Sequence, residues 1–90
     1  MSMFSVELSR AAKKGLGNCP EEYAARIKEL LLILREKPYP FRMYDLRKIK
    51  GRNNVYRIRI GKWRIQYEVF RKEKFALVFS IEKKGETTYK

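Results

Sequence analysis

A run of alternating apolar and polar residues in the second half of the chain constrains the fold more than any other feature. It extends from Tyr56 to Val69 and reads YRIRIGKWRIQYEV. Strict alternation predicts β-strands with one buried and one open face. The Gly61-Lys62 pair in its middle predicts a two-residue turn. The segment therefore predicts a β-hairpin whose apolar face lies on a core.

Arginines occupy the predicted open face of this hairpin. A two-residue turn at positions 61 and 62 places Arg59 opposite Arg64. Because side chains two residues apart share a face of a strand, Arg57 and Gln66 project on the same side as this pair. Like charges directly opposite each other on a sheet are unfavourable, by up to roughly 1 kcal/mol. A chain that keeps three arginines there is expected to hold an anion with them.

Composition restricts the classes of partner. Ninety residues allow one domain, spanning 1–90. Twenty-two Lys and Arg residues against ten Asp and Glu residues give a net charge of +12. Such a field attracts polyanions, with nucleic acid the leading class and an acidic protein compatible with it. No apolar run approaches the roughly 20 residues that span a bilayer, so no membrane partner is expected.

The chain has no histidine and a single cysteine, Cys19. The usual transition-metal sites and His-dependent nucleophilic catalysis are therefore excluded, and we expect no metal. Phosphate-binding Gly-rich loops are also absent, because the glycines are scattered. The lone cysteine and the absence of an export signal at the start of the sequence predict a cytoplasmic protein.

The first half of the chain predicts one strand and two helices. Alternation over residues 4–8 indicates a short strand, and Ser9 is a suitable N-cap for a brief helix over residues 10–16. Pro20 followed by two glutamates indicates the start of a second helix. Apolar residues recur at helical spacing up to Leu34, and the Pro38-Tyr39-Pro40 segment ends that helix.

From Met43 onward the hydrophobic period changes to two. We predict a strand around Leu46–Ile49, then the hairpin, then a last strand that is apolar on both faces and hence central. Four aromatic residues are assigned to the core: Trp63, Tyr67, Phe75 and Phe79. The predicted fold class is α+β, with an N-terminal strand and a helical hairpin packed on an antiparallel β-sheet of about four to five strands.

Further candidates for anion contact lie outside the hairpin. Lys48 and Lys50 share a strand face if their segment is extended, which suits either phosphate contact or solubility. Lys83 and Lys84 follow the last strand and could reach the cationic face. Tyr89 lies in a polar tail, where it could stack on a base, supply a hydroxyl or have no fixed role. Three other arginines are interpreted as solvated charges: Arg42, Arg47 and Arg52.

The sequence KIKG at 48–51, followed after four residues by the hairpin segment 56–69, resembles the RelE/ParE toxin superfamily, particularly RelE. The resemblance extends over the whole chain. It implies a microbial RNase-like fold and a toxin of a type II toxin–antitoxin pair. It also implies an endoribonuclease that cleaves mRNA in the ribosomal A site without metal or cofactor, inhibits translation, and is paired with an acidic, RelB-like antitoxin.

The resemblance also assigns site residues. Arg57 and Arg59 occupy the positions of the family's basic pair on the third strand, and Arg64 that of the arginine on its fourth strand. Lys84, or Lys83 by one shift of register, falls near the family's late arginine, and Tyr89 near its C-terminal tyrosine. Familiar members carry lysines at the two positions of the basic pair, and arginine is a poor general base because its pKa exceeds about 12.

These assignments lead to a mechanistic hypothesis. The 2′-hydroxyl of RNA attacks the adjacent phosphate while Arg57, Arg59 and Arg64 clamp it, Lys84 assists, and Tyr89 stacks or exchanges a proton. The group that accepts the 2′-hydroxyl proton is left open between a lysine, a tyrosine and a ribosomal group. Three alternatives stay open: a ParE-like inhibitor of DNA gyrase, a non-enzymatic basic nucleic-acid-binding module, and a degenerate toxin retained as a partner for its antitoxin.

Overall fold

A computed structural model of the protein describes residues 3–84. Along the chain the elements are β1 (Ser5–Leu8), α1 (Arg10–Gly17), α2 (Glu21–Glu36), β2 (Asp45–Lys48), β3 (Val55–Ile60), β4 (Trp63–Phe70) and β5 (Phe75–Lys83). The α+β fold class is confirmed. Within the described range, neither helix has the length and apolar content needed to cross a membrane.

The five strands form one sheet in the order β1-β5-β4-β3-β2. Strands β2 to β5 pair antiparallel, as predicted, whereas β1 joins the edge of β5 in parallel, with Ser5 opposite Phe75. The sheet is therefore mixed rather than wholly antiparallel. Because β1 covers the outer edge of β5, the last strand is internal, which agrees with its two-sided apolar sequence.

The two helices begin where the sequence indicates, and α1 ends at Gly17, one residue later than predicted. The Ser9 hydroxyl accepts a hydrogen bond from the Ala12 backbone N–H at 3.0 Å and donates one to the Phe79 carbonyl at 3.2 Å, so the cap of α1 is tied to β5. Helix α2 follows Pro20 and has two glutamates in its first turn, where the helix dipole favours negative charge. Both helices pack on the same face of the sheet.

The core lies between the helices and this face. It contains Ala12 from α1, three α2 residues and the inward side chains of the sheet: Ile27, Leu30, Leu34, Ile58, Ile60, Trp63, Ile65, Tyr67, Val69, Ala76, Val78 and Ile81. Trp63 and Tyr67 are thus core residues, as predicted. The other face of the sheet carries the remaining side chains of the hairpin, and we call it the open face.

The assignment of Phe75 and Phe79 to the core is wrong. A β-bulge interrupts the β4–β5 ladder, since Gln66 pairs with Ser80 whereas Tyr67 pairs with Val78. Phe79 is the extra residue of this bulge, and the alternation reverses across it. Phe75 consequently lies on the open face, half-buried, where its ring stacks on that of Phe70 with a centroid distance of 5.4 Å.

Tyr67 is fully buried, and its hydroxyl donates a 2.8 Å hydrogen bond to the Pro38 carbonyl. We expect Tyr67→Phe to lower the free energy of unfolding by about 1 kcal/mol at neutral pH, because the Pro38 carbonyl loses its partner. Burial raises the pKa of Tyr67 above the ordinary tyrosine value, which is about 10. In the unfolded chain the phenol ionises near that value while the folded phenol stays neutral, so wild type loses stability as pH rises above about 10.

Denaturant unfolding of both proteins between pH 7 and 11 measures this effect. The difference in the free energy of unfolding between wild type and Tyr67→Phe should be constant below pH 10. It should become smaller above pH 10, because only wild type carries the phenol at position 67. A gap that widens with pH would contradict this account of Tyr67.

Candidate nucleic-acid interface

The hairpin has the turn and register that the sequence predicts. Gly61 adopts a φ of +61°, which favours glycine, and a Cβ at this position would lie 2.8 Å from the Tyr23 ring. Ile60 is paired with Trp63 across this turn. The apolar partners face the core, so their arginine neighbours project from the open face.

Five side chains on the open face form what we call the arginine face: Arg47, Arg57, Arg59, Arg64 and Gln66. Together with Asp45, Ser80 and Glu82, these side chains form two rows that run across the strands. The first row reads Asp45, Arg59, Arg64, Glu82 from β2 to β5, and the second reads Arg47, Arg57, Gln66, Ser80. Residues two apart on a strand are about 7 Å apart, so a phosphate group can lie between the rows.

Carboxylates flank the two opposed arginines of the first row. Asp45 Oδ2 lies 3.2 Å from a terminal nitrogen of Arg59, and Asp45 Oδ1 lies 3.7 Å from Nε of Arg47. Glu82 is the direct cross-strand neighbour of Arg64. The Asp45–Arg59 ion pair therefore offsets part of the repulsion expected between Arg59 and Arg64, and a second carboxylate stands at the register position beside Arg64. The hairpin sequence alone does not reveal these acids.

The second row has arginines that oppose each other without a flanking acid in that row. Arg47 is the direct neighbour of Arg57, and beyond them lie the neutral side chains of Gln66 and Ser80. Together the two rows hold four arginines and two carboxylates, which gives a net charge of +2. Arg57, Arg64 and Gln66 are also half-buried, which lowers the screening of their charges and dipoles.

Lys48 and Lys50 do not join this cluster. The second strand runs over Asp45–Lys48, one residue earlier than predicted, and Lys48 is paired with Tyr56, which packs against the core. Lys48 therefore lies on the helix side of the sheet, and Lys50 lies in the turn that follows β2. Their contact with RNA stays a prediction and is separate from the arginine face.

The late basic residues lie at the turn end of the hairpin. Lys83 is paired with Trp63 on the helix side and lines a groove of about 650 Å³ with Lys14 and Trp63. The backbone N–H of Lys84 donates a 2.6 Å hydrogen bond to the Lys62 carbonyl, so Lys84 follows β5 beside the hairpin turn. Tyr89 lies outside the described residues.

Asp45 and Arg47 are site residues that the sequence reasoning missed. Arg47 was interpreted as a solvated charge, and Asp45 was given no role. A signal was present, because the apolar Leu46 between them faces the core and forces both neighbours to the other side. The sequence does not predict the pairing of Asp45 with Arg59, because the register between β2 and β3 depends on the loop that joins them.

This arrangement can bind an anion and can also accept a proton. Guanidinium groups hold phosphate oxygens through paired hydrogen bonds, whereas the carboxylates on the same face are bases.

Burial raises the pKa of the Cys19 thiol, whose Sγ donates to the Gly15 carbonyl at 3.5 Å, which fits a structural role. Among residues 3–84, no three His, Cys, Asp or Glu side chains are grouped as a metal site requires.

Comparisons with known proteins identify relatives of the chain and of its fold. Residues 6–87 match the family model described as ParE toxin of type II toxin-antitoxin system, parDE. A protein described as a RelE1 toxin from Methanocaldococcus jannaschii is 34% identical over 87 residues, which cover 97% of this chain and 96% of that protein.

Solved structures give the same result. The RelE–RelB complex of Pyrococcus horikoshii OT3 matches with a TM-score of 0.83 and 26% identity over 94% of this chain and 99% of that one. The isolated RelE toxin of E. coli matches in fold, with a TM-score of 0.76 and 19% identity over 93% of this chain and 87% of that one.

Proposed function

This chain belongs to the RelE/ParE superfamily of type II toxins, in which it is most like RelE, and from that premise we propose that it cleaves mRNA in the ribosomal A site. The observation that carries the proposal is the convergence of Arg57, Arg59 and Arg64 on one open face, next to Arg47 in the neighbouring row. We place the activity in the cytoplasm, where ribosomes translate mRNA.

The chemistry follows from the groups on this face. RNA carries its own nucleophile, the 2′-hydroxyl, so the protein has to orient the strand and stabilise negative charge on the pentacoordinate phosphate. Guanidinium groups suit this task because they are permanently charged and bind phosphate oxygens bidentately. Arg57, Arg59 and Arg64 clamp the scissile phosphate, and Gln66 supplies a neutral hydrogen-bonding group at the edge of the clamp.

Lys84 and Tyr89 belong to the proposal with different support. Lys84 lies beside the hairpin turn, two residues beyond Glu82 of the first row, and it assists by neutralising phosphate charge. For Tyr89 the proposal rests on the family resemblance, which implies stacking on a base or exchange of a proton.

The proposal includes a protein partner. The P. horikoshii relative was solved as a complex of RelE with RelB, and this supports a RelB-like antitoxin for the present chain. A net charge of +12 favours an acidic partner and fast association at low salt. Covering the arginine face would silence the toxin by the same charge complementarity that attracts RNA.

Toeprinting of a defined mRNA on ribosomes tests the function. With the purified protein, we expect new 3′ ends within the codon in the A site and none in the same mRNA without ribosomes. Salt-sensitive RNA binding without new ends would instead identify a non-enzymatic nucleic-acid-binding module. Absence of both binding and cleavage would identify a degenerate toxin.

The description of the matching family model favours one second candidate, because it names the ParE toxin. A ParE-like protein would inhibit DNA gyrase and would not need a phosphate clamp. A gyrase supercoiling assay run beside the toeprinting separates the two functions, and we expect supercoiling to be unaffected.

A further inference from the structure

The five side chains that define the arginine face include no acceptor for the proton that the 2′-hydroxyl must lose. Arginine does not deprotonate in proteins. Lys48 lies on the helix side of the sheet and Tyr67 is buried in the core, with a raised pKa. Among the described residues of the two rows, the side chains that can accept a proton as anions are the carboxylates of Asp45 and Glu82.

Asp45 is the better placed of these two carboxylates. Its oxygens contact guanidinium groups of both rows, Arg59 in the first and Arg47 in the second. These contacts hold the carboxylate at the β2 side of the arginine face, next to Arg59 of the proposed clamp. Glu82 lies at the opposite end of the first row, next to Arg64. Its neighbour in the second row is the neutral side chain of Ser80.

Asp45 is also accessible and retains acceptor capacity. Its side chain is 41% exposed on the edge strand β2, so an RNA strand can approach it from solvent. A carboxylate has about four lone-pair sites. The two guanidinium contacts therefore leave sites for the 2′-hydroxyl.

We propose that Asp45 is the general base of the reaction, an inference that rests on the proposed ribonuclease function. The carboxylate takes the proton of the 2′-hydroxyl while the O2′–P bond forms and the P–O5′ bond breaks. The departing 5′ oxygen takes a proton from solvent water, so the products are a 2′,3′-cyclic phosphate and a 5′-hydroxyl. Asp45 then returns its proton to solvent, and no oxidant or further reactant is required.

A purely electrostatic role for Asp45 predicts the opposite effect of its removal. If the carboxylate only neutralised Arg59 and Arg47, replacing it with a neutral group would raise the positive charge of the face. RNA would then bind more tightly, and cleavage would be unchanged or faster. If the carboxylate is the base, the same change leaves binding equal or tighter while cleavage slows. The direction of the rate change therefore distinguishes the two roles.

The experiment uses the full-length chain and programmed ribosomes. Asp45→Asn retains the size and an acceptor oxygen for Arg59 but removes the base, and Asp45→Glu keeps a carboxylate. Glu68→Gln is the matched control, since Glu68 lies further along the open face, opposite Val55. Single-turnover cleavage is measured at saturating toxin. Binding is measured separately with an mRNA that carries a 2′-deoxynucleotide at the cleaved position.

We expect Asp45→Asn to slow cleavage about 10²- to 10⁴-fold without weaker binding, as for other losses of a general base. Asp45→Glu should recover part of the rate, and Glu68→Gln should cleave like wild type. Cleavage by Asp45→Asn at the wild-type rate, or a comparable loss in Glu82→Gln alone, would overturn the assignment. Failure of the wild-type protein to cleave would instead refute the ribonuclease function, so the two failures are distinguishable.

Discussion

Replacing Arg64 by alanine should abolish toxicity and lower ribosome-dependent cleavage by about 10²- to 10³-fold, the usual cost of losing one preorganised group at a transition-state anion. Arg64 is half-buried and lies between Arg59 and Glu82 in the first row of the arginine face. Its removal leaves Arg57 and Arg59 as the remaining guanidinium groups of the proposed clamp. Growth after induced expression and single-turnover cleavage on ribosomes measure the two effects.

Folding of this variant should be preserved. Arg64 projects from the open face and its direct neighbour is another arginine, so alanine removes a repulsive pair as well as an attraction to Glu82. We expect a change in the free energy of unfolding within about 0.5 kcal/mol. Arg52→Ala is the matched control, since it removes one exposed arginine in the loop after β2. If the Arg64→Ala protein were as toxic as wild type, the proposed phosphate clamp would be contradicted.

The second large effect concerns stability. Gly15 lies in α1 where the helix crosses β5, and a Cβ at this position would clash with the Ile81 carbonyl oxygen. Because the clash is with backbone, the helix or the strand must move. We expect Gly15→Ala to lower the free energy of unfolding by about 1–3 kcal/mol, as in other overpacked sites. Denaturant titration measures the change.

The same helix provides the control. Gly17 is the last residue of α1, and a Cβ there would meet nothing within 4 Å. Gly17→Ala should therefore be neutral or stabilising by up to about 1 kcal/mol, since alanine is the better helix former. If both variants were equally stable, the close approach of α1 to β5 would not be a constraint on this fold.

The sequence predicted the local parts of the molecule well. The hairpin, its turn and the shared face of Arg57, Arg59, Arg64 and Gln66 depend on neighbouring residues and strict alternation, and the structure confirms that placement. The start of each helix also followed from local signals, namely the Ser9 cap and the acids after Pro20.

Features that depend on distant parts of the chain were not predictable in the same way. The parallel partner of β1 lies at the other end of the sequence, and no local signal specifies it. The bulge at Phe79 reverses which side chains of β5 point to the core on either side of it. The sequence pattern therefore placed Phe75 on the wrong face of the sheet. The pairing of Asp45 with Arg59 depends on the β2–β3 register, which the intervening loop determines.

The mixed topology of the sheet has a kinetic consequence. The β3–β4 hairpin forms through contacts between residues close in sequence, whereas the contact between Ser9 and Phe79 spans 70 residues. Closing so long a loop is slow compared with forming a hairpin. We expect the strands that carry the four arginines to pair early and β1 to dock last. A folding chain would then present its cluster of arginines before its hydrophobic core is sealed, so a polyanion would have access to it at that stage.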